Sequence, residues 1–528
     1  MEGLFAGLDV STQSCKLVVI DLDARGVVHV DSVDYDEDLP HYGTREGTVQ
    51  GLDAGVSESD PRMWIEAVEL LLERLKQTPD IAQDEIHCLS VSGQQHGLVA
   101  LAADGSLARP RSKLWNDFST AEECELLTER VGGVERMLAE VGNTQRTGYT
   151  APKILHMLRH EPECYRKAAT LFLVHNYVNW HLTGGASGGI AVMEPGDTSG
   201  MALWNPATRN WSRAVLDAID PGLEAKLPPV RPSDQTIGVI ARGLADRFEL
   251  AADCRIDAGS GDNMYGAVGT GNFTPGIVTI SLGTSGTAYT YSEDLYVDPT
   301  GEIAAFCDSS GHYLPLLCVS NMANGYNAVL ERFGMSHEEF DAAIDRTRPG
   351  NEGRVLLPWY GGERTPDLPR AAPLYFGFGV GDFGRDQLSR AVLEGHVLNL
   401  FTGFRRLPLR PKAIHLTGGL SRSRSWCQTI ADVFEAETVP VRGEGAALGA
   451  AIHAAWVWTK EQRDAVPLSE VAKPFVLFDE DRRTVPAAER APVYRAQARL
   501  FRALSERVRG MASEDDPFEL RNRHEYSH

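Results

Sequence analysis

The stretch "GLDVSTQSCKLVVID", Gly7–Asp21, reads as two strands around a polar turn. Leu17–Ile20 is an apolar run of strand length. Before it, Asp9 and then Ser11, Thr12, Gln13 and Ser14 interrupt the apolar pattern. Ser, Thr and Asp bond their own backbone and favour turns, so an ordinary hairpin accounts for the stretch taken alone. The same composition also suits a phosphate-binding loop. Small side chains let backbone N–H groups approach an anion, and the carboxylate can meet a metal or its water.

A second copy bears on the choice. "IVTISLGTSGTAYTYS", Ile277–Ser292, is again an apolar strand, a Gly-Thr-Ser-Gly turn and a second strand. Internal duplication is a sign of repeated architecture. Two hydroxyl-rich hairpins in two halves of a chain could hold a polyphosphate from both sides.

The chain has 528 residues, more than one compact core accommodates, so several domains are expected. Its hydrophobic fraction of 43% and charged fraction of 23% are those of a globular protein, with no run of membrane length. No basic stretch precedes the first strand at Leu4, so no leader is expected. The eight cysteines are scattered without a C-x-x-C pair, which disfavours a zinc site or disulfide framework and suits a reducing cytoplasm. A formal charge of −22 argues against nucleic-acid and anionic-membrane partners.

Strands and helices alternate in the opening third. "HCLSVSG" is a strand, and Asp60-Pro61 starts a helix whose Trp64, Val68, Leu71, Leu72 and Leu75 follow helical spacing. This alternation predicts an α/β layer fold. "DEDLPHYGTREGTVQGLDAG" reads as an inserted loop. The Gly-rich stretch "DAGSGDNMYGAVGTGNFTPG" suggests a domain boundary, giving domains 1–257 and 258–511 and a polar tail over 512–528. Its segment Gly259–Gly276 is the candidate hinge, since glycines absorb φ/ψ change. In the second half, Trp426, Ile430, Val433 and Phe434 mark one face of a helix. "EGAALGAAIHAAW" is a helix of small residues able to lie close to a neighbour or a flat ligand, and a last helix is expected over 486–511.

No Walker loop is present, for the chain holds no Gly-Lys pair. The lone G-x-G-x-x-G, "GVGDFG" at Gly379–Gly384, has no βαβ context and is a weak signal. More informative is "SGQQHG", Ser92–Gly97, which places Gln94, Gln95 and His96 after a strand, as hydrogen-bonding groups for a polyol. "WND", Trp115–Asp117, adds similar chemistry. Asp262 in "GSGDNMYG" is the candidate base, able to take a hydroxyl proton as the hydroxyl attacks phosphorus. An N-cap role is its structural alternative. "LTGGLSRSRSW", Leu416–Trp426, joins a strand to a helix through glycines that admit a ligand to the backbone.

Together, "GLDVSTQS", "SGQQHG", "LWND", "TGYTAPKI", "GSGDN", "ISLGTSG", "LPWYGGERTP", "RAVLEGH", "TGGLSRSRSWCQTIADVF" and "EGAALGAA" occur in the order found in the FGGY carbohydrate kinases. The chain resembles that family, and its xylulokinase branch most, over about residues 4–457. The resemblance implies two ribonuclease-H-like domains of the actin/hexokinase/heat-shock-chaperone ATPase superfamily flanking a central cleft. It implies ATP-dependent phosphorylation of a ketose, D-xylulose foremost, by a cytoplasmic enzyme that uses ATP and Mg²⁺, and it allows for a homodimer. On this likeness Asp9 organises Mg²⁺, and Ser11, Thr12 and Gln13 form the first phosphate turn. Gly283, Thr284 and Ser285 form the second. Gln95, His96, Asp262 and Asn263 contact the sugar, with Asp262 as base, and Gly418, Gly419 and Ser423 belong to the adenosine side. Gln95 departs from the bulky apolar residue common in bacterial members, which leaves another ketose or a polyol open. Arg424 stands at a variable position near the adenine side, which leaves strict ATP preference open. A low-turnover sugar-responsive binding protein is the competing class; the presence of both Asp9 and Asp262 favours catalysis.

Overall fold

A computed structural model describes residues 3–443, 445–462 and 466–522. The chain forms two compact units. The first comprises Met1–Phe273, Ser292–Pro315 and Gly443–Val476; the second comprises Thr274–Tyr291, Leu316–Arg442 and Leu477–His528.

The first unit is built on β1 (Leu4–Val10), β2 (Ser14–Asp21) and β3 (Gly26–Asp34), an antiparallel meander. Beyond β1 the sheet continues with the parallel strands Ile86–Gly93 and Arg255–Asp257, and ends on the antiparallel edge strand Thr236–Val239. The expected helix is Pro61–Lys76, with Asp60 as N-cap accepting from the Arg62 N–H. Trp64, Val68, Leu71, Leu72 and Leu75 are all buried in one core with β1 and β2, as their spacing requires.

The helix Gly445–Gln462 belongs to this first unit, although sequence order put it with the second half. Small residues explain the contact. A Cβ on Gly7 of β1 would run into the Ala447 carbonyl, and one on Gly449 into the Tyr265 carbonyl. The helix of small residues is therefore seated on its neighbours' backbone.

The Gly-rich stretch after Asp257 is likewise part of the first unit through Phe273. It folds as the short strand Ser260–Gly261 and the helix Asp262–Gly269, where Gly269 lets the Gly445 carbonyl approach. Gly259, Gly261 and Gly269 sit so close to neighbouring atoms that a Cβ would clash. The inserted loop is also ordered: Asp34 caps the turn of helix Tyr35–Asp38, and Thr44–Arg45 pairs with Thr48–Val49.

The second unit repeats the plan. Ile277–Leu282 and Gly286–Thr290 form a hairpin, and Leu316–Val319 pairs with it on the antiparallel side. On the other side run the parallel strands Ala413–Thr417 and Glu437–Arg442, then the antiparallel edge Leu477–Phe478. Helix Arg424–Phe434 buries Trp426, Ile430, Val433 and Phe434 on the expected face. "GVGDFG" is a turn after Leu374–Phe376, a strand of a two-stranded antiparallel ribbon, so it lacks the βαβ setting of a dinucleotide loop.

The last long helix is Ala491–Val508. The chain beyond it docks instead of trailing as a tail. Helix Pro517–Asn522 buries Leu520, Asp515 pairs with Arg499 and Arg502, and Phe518 meets Phe376 edge-on at 5.3 Å. Residues 523–528 of the expected tail lie outside the described residues. All eight cysteines are free. Among the described residues no helix is long and apolar enough to cross a membrane.

Candidate active site

Three residues, Ser11, Thr12 and Gln13, join β1 to β2. The turn is tied down by its own unit. The Ser11 N–H donates to the Ser14 carbonyl, Gln94 Nε2 to the Ser11 carbonyl (3.2 Å), Tyr35 OH to the same carbonyl (3.2 Å), and Trp115 Nε1 to Thr12 Oγ1 (2.9 Å). A cavity of about 400 Å³ opens over Ser11–Ser14, walled by Trp115, Asn116 and Glu46. A larger hollow of about 680 Å³ lies over Val134, Leu138 and Val297, where Glu135 is the single charged wall. It has no hydroxyl in its wall and only that one carboxylate, so the smaller cavity, lined by Ser11, Thr12, Ser14 and Thr48, is the better candidate.

Asp9, one residue short of the end of β1, lies opposite Ser92 on the parallel neighbour. Ser92 Oγ donates to Asp9 Oδ1 at 2.7 Å. Burial pushes the Asp9 carboxyl up to about 6, against the pull of Ser92 and Lys16.

Asp262 is the first residue of its helix; Gly261 is the N-cap. The capping role that a sequence reading offers for Asp262 is therefore taken by its neighbour. Asp262 Oδ1 accepts from the Asn263 N–H (2.8 Å) and from Asn263 Nδ2 (3.0 Å). Its side chain keeps a path to solvent, yet the surrounding protein strips away much of its water. Desolvation, then Asp9, then Asp197 push it up to about 8. The helix beneath it is anchored by a buried network: Ser90 Oγ donates to Tyr265 OH (2.8 Å), Tyr265 OH meets His453 Nδ1 (3.2 Å), and His453 Nδ1 pairs with Asp257 Oδ2 (2.8 Å).

Gln95 and His96 follow the same parallel strand that bears Ser92. Gln95 Oε1 accepts from Asn263 Nδ2 at 2.8 Å, which joins "SGQQHG" to "GSGDN" in space. His96 lies against Tyr149 and Phe306, at ring separations of 4.8 and 5.8 Å. The structure thus brings Gln95, His96, Asp262 and Asn263 together, with Asp9 in electrostatic reach.

Sequence reasoning missed the residues that support this group. Asp197, wholly buried on the turn Pro195–Thr198, takes the His96 N–H at 3.4 Å and Gln95 Nε2 at 3.5 Å. Glu194 caps that turn, and His175 lies between the two acids, 3.5 Å from Asp197 Oδ2 and 3.7 Å from Glu194 Oε1. Buried Lys153, pushed down to about 7 chiefly by desolvation, donates to the His96 carbonyl. The available signal was "MEPGD", where two acids flank a Pro-Gly turn.

In the second unit, Gly283, Thr284 and Ser285 join Ile277–Leu282 to Gly286–Thr290. The Gly283 and Thr284 carbonyls accept from the Ala323 and Met322 N–H groups, both at 3.0 Å, and so hold the start of helix Ala323–Phe333. Gly418 has φ +85 and lies so close to Leu282 that a Cβ would strike its backbone, whereas the space beside Gly419 is open. Ser423 is the N-cap of helix Arg424–Phe434, with Oγ donating to Asp341 Oδ1 at 2.7 Å. Arg424 is paired with Asp345 at 2.6 Å.

A hairpin-led sheet recurs in both units, with Asp9 beside the Ser11–Gln13 turn and Asp262 joined to Gln95 through Asn263, an arrangement suited to phosphoryl transfer. The models of the N- and C-terminal domains of the FGGY family of carbohydrate kinases match residues 4–269 and 278–458, and the chain belongs to this family. Among its relatives are a xylulose kinase of Haemophilus influenzae, 33% identical over 495 residues (92% of this chain, 95% of that protein), and one of Streptomyces rubiginosus, 35% identical over 474 residues (88% and 90%). The fold matches a solved xylulose kinase from Bifidobacterium adolescentis with TM-score 0.77 and 27% identity, covering 94% of this chain and 99% of that one. A sugar kinase structure from Brucella ovis superposes with TM-score 0.85 at 24% identity, covering 96% and 99%, a likeness of fold.

Proposed function

We propose that this protein is an ATP-dependent kinase that phosphorylates D-xylulose on its terminal hydroxyl. The observation that carries the reading is the Gln95–Asn263–Asp262 chain of hydrogen bonds, which sets a poised carboxylate among polyol-binding amides. The relatives named xylulose kinase supply the substrate. Gln95, His96 and Asn263 orient the sugar hydroxyls. Asp262 Oδ accepts the proton of the attacking hydroxyl, and its raised affinity for protons suits a base that must take one. In the first unit, Ser11, Thr12 and Gln13 offer hydroxyl, amide and backbone donors to phosphate oxygens. In the second, the Gly283–Ser285 and Gly418–Gly419 turns are the proposed nucleotide contacts, the open side of Gly419 facing the ligand. The phosphoryl group needs alignment and charge neutralisation more than covalent help, so these roles suffice without a Walker lysine.

Mg²⁺ fits the residues present. Asp9 is a desolvated carboxylate within electrostatic reach of Asp262, which also feels Asp197, so three acids gather where, among the described residues, Lys16 is the one cation acting on Asp9. Among the described residues no group of three side chains could hold a metal alone, which suits an ion bound through one carboxylate, water and phosphate oxygens. Asp9 would hold it, and when bound it would neutralise phosphate charge.

The test is ADP release with a panel of ketoses, aldoses and polyols. D-xylulose should give the highest kcat/KM, and 5-deoxyxylulose no product. A preference for ribulose or glycerol would overturn the substrate, and the absence of turnover with every sugar would overturn the enzyme.

A further inference from the structure

His96 has φ +66, in the left-handed region that a residue with a Cβ enters at a cost. Such strain persists only where the surroundings fix it. Here both main-chain groups of His96 are gripped by buried charged side chains. Its N–H donates to Asp197 Oδ1 at 3.4 Å, and its carbonyl accepts from Lys153 Nζ at 2.8 Å and Thr150 Oγ1 at 3.2 Å. Asp197 and Lys153 are each 0% exposed.

The Lys153 ammonium spends its hydrogen bonds on the His96 and Gly148 carbonyls, the latter at 2.7 Å, with no carboxylate among those partners. Burial pushes this amine down to about 7 even with Asp117 and Asp197 in electrostatic reach, so its placement costs stability that an apolar side chain of the same length would not. Asp197 is itself held, its N–H donating to Glu194 Oε1 at 2.7 Å. Its Oδ1 lies 3.9 Å from His96 Nδ1, within electrostatic reach but beyond hydrogen-bond length. Gly200 is required beside the ring, because a Cβ there would stand 2.5 Å from His96 Cε1.

We propose that Lys153 and Asp197 are positioning residues, a buried amine and a buried carboxylate that clamp the His96 backbone in its left-handed form and so present the imidazole to the sugar. The inference rests on the reading of His96 as a sugar contact. It predicts that the two side chains act on sugar binding and leave nucleotide binding alone. They act through His96, so their effects should vanish when the imidazole is gone.

The experiment combines structure and kinetics on the full chain. Crystal structures of Lys153→Met and Asp197→Leu should show His96 at negative φ. In both variants KM for D-xylulose should rise at least tenfold, with KM for ATP within threefold. Asp197→Asn, which keeps an acceptor for the His96 N–H, should recover most of the loss. Adding Lys153→Met to His96→Ala should cost no more than twofold beyond His96→Ala alone. Should Lys153→Met fail to fold, Asp197→Leu alone, with and without His96→Ala, decides the clamp. A left-handed His96 in the variants, or an unchanged sugar KM beside normal wild-type turnover, would overturn the clamp. If the wild type turns over no D-xylulose, the proposed function fails and the His96 backbone angle alone decides the clamp.

Discussion

The Leu4–Asp21 hairpin and the Ile277–Thr290 hairpin hold corresponding places in their sheets, yet they present different chemistry. Each has a third antiparallel strand on one side and two parallel strands on the other, and each turn has three residues. One residue before the turn's first strand ends, the first unit has Asp9 facing Ser92, while the second has Ser281 facing Thr417. Past Ser92 the first unit continues as Gly93, Gln94, Gln95 and His96; past Thr417 the second continues as Gly418 and Gly419. One scaffold therefore serves two purposes. The ends of parallel strands fix where a ligand meets the chain, and side chains decide which ligand it is. The first unit offers carboxylates and amides, suited to a sugar and to proton transfer. The second offers glycine backbone with the hydroxyls of Thr284 and Ser285, which the proposed reading gives to a nucleotide.

The sharpest way to break that contrast is to remove the base. Asp262→Asn keeps the shape and the Asn263 contact but cannot take a proton. Its kcat should fall about 10²-fold or more, while sugar affinity stays within about tenfold, or 1.4 kcal/mol. An unchanged kcat would leave Asp262 a structural residue. Next, Asp9→Ser writes the second unit's residue into the first. Turnover should fall about 10- to 100-fold, and the Mg²⁺ needed for half-maximal rate should rise, as for other disturbed metal sites. Equal activity at all Mg²⁺ levels would remove Asp9 from the metal. In the second unit, Gly419→Val fills the open side of the turn. KM for ATP should rise by about tenfold with KM for the sugar unchanged, a loss of about 1.4 kcal/mol. A change in sugar KM instead would mean that the two units do not divide the ligands as proposed.

The fold and most of the first unit's site were legible in the sequence because their signals are local. Hairpin turns, helix spacing and the motif order all lie within short windows. What was not legible depends on contacts distant in sequence. Asp197 and Lys153 reach His96 from chain positions far from "SGQQHG". Helix Gly445–Gln462 joins the first unit through Gly7 and Gly449, which only the folded chain brings together. Ser423 looked like a loop hydroxyl and is a helix cap, because Asp341 and the Trp426 N–H meet it in space.

Two smaller effects sharpen the electrostatic side of the comparison. The Asp262 carboxyl titrates near 8 in the ligand-free site, so kcat/KM at low Mg²⁺ should rise with pH and level off above about 8. More Mg²⁺ should move that limb to lower pH, since a cation near Asp9 favours the charged form. A flat profile between pH 6 and 9 would contradict Asp262 as base. The same shift predicts a cost in stability. Asp262 binds its proton more tightly folded than unfolded, so folding loses stability as pH rises from about 4 to about 8. Asp262→Asn should therefore raise Tm by a few degrees at pH 8 and by less at pH 5. The reverse order would show that the carboxyl is not desolvated.

The central claim is that the sugar is held by the first unit with its reacting hydroxyl against Asp262. A crystal structure of the wild-type protein with D-xylulose tests it most directly. The account predicts the ketose among Gln95, His96 and Asn263, with its terminal hydroxyl within about 3 Å of an Asp262 oxygen. Sugar bound in the second unit, or in the first with no hydroxyl at Asp262, would contradict it.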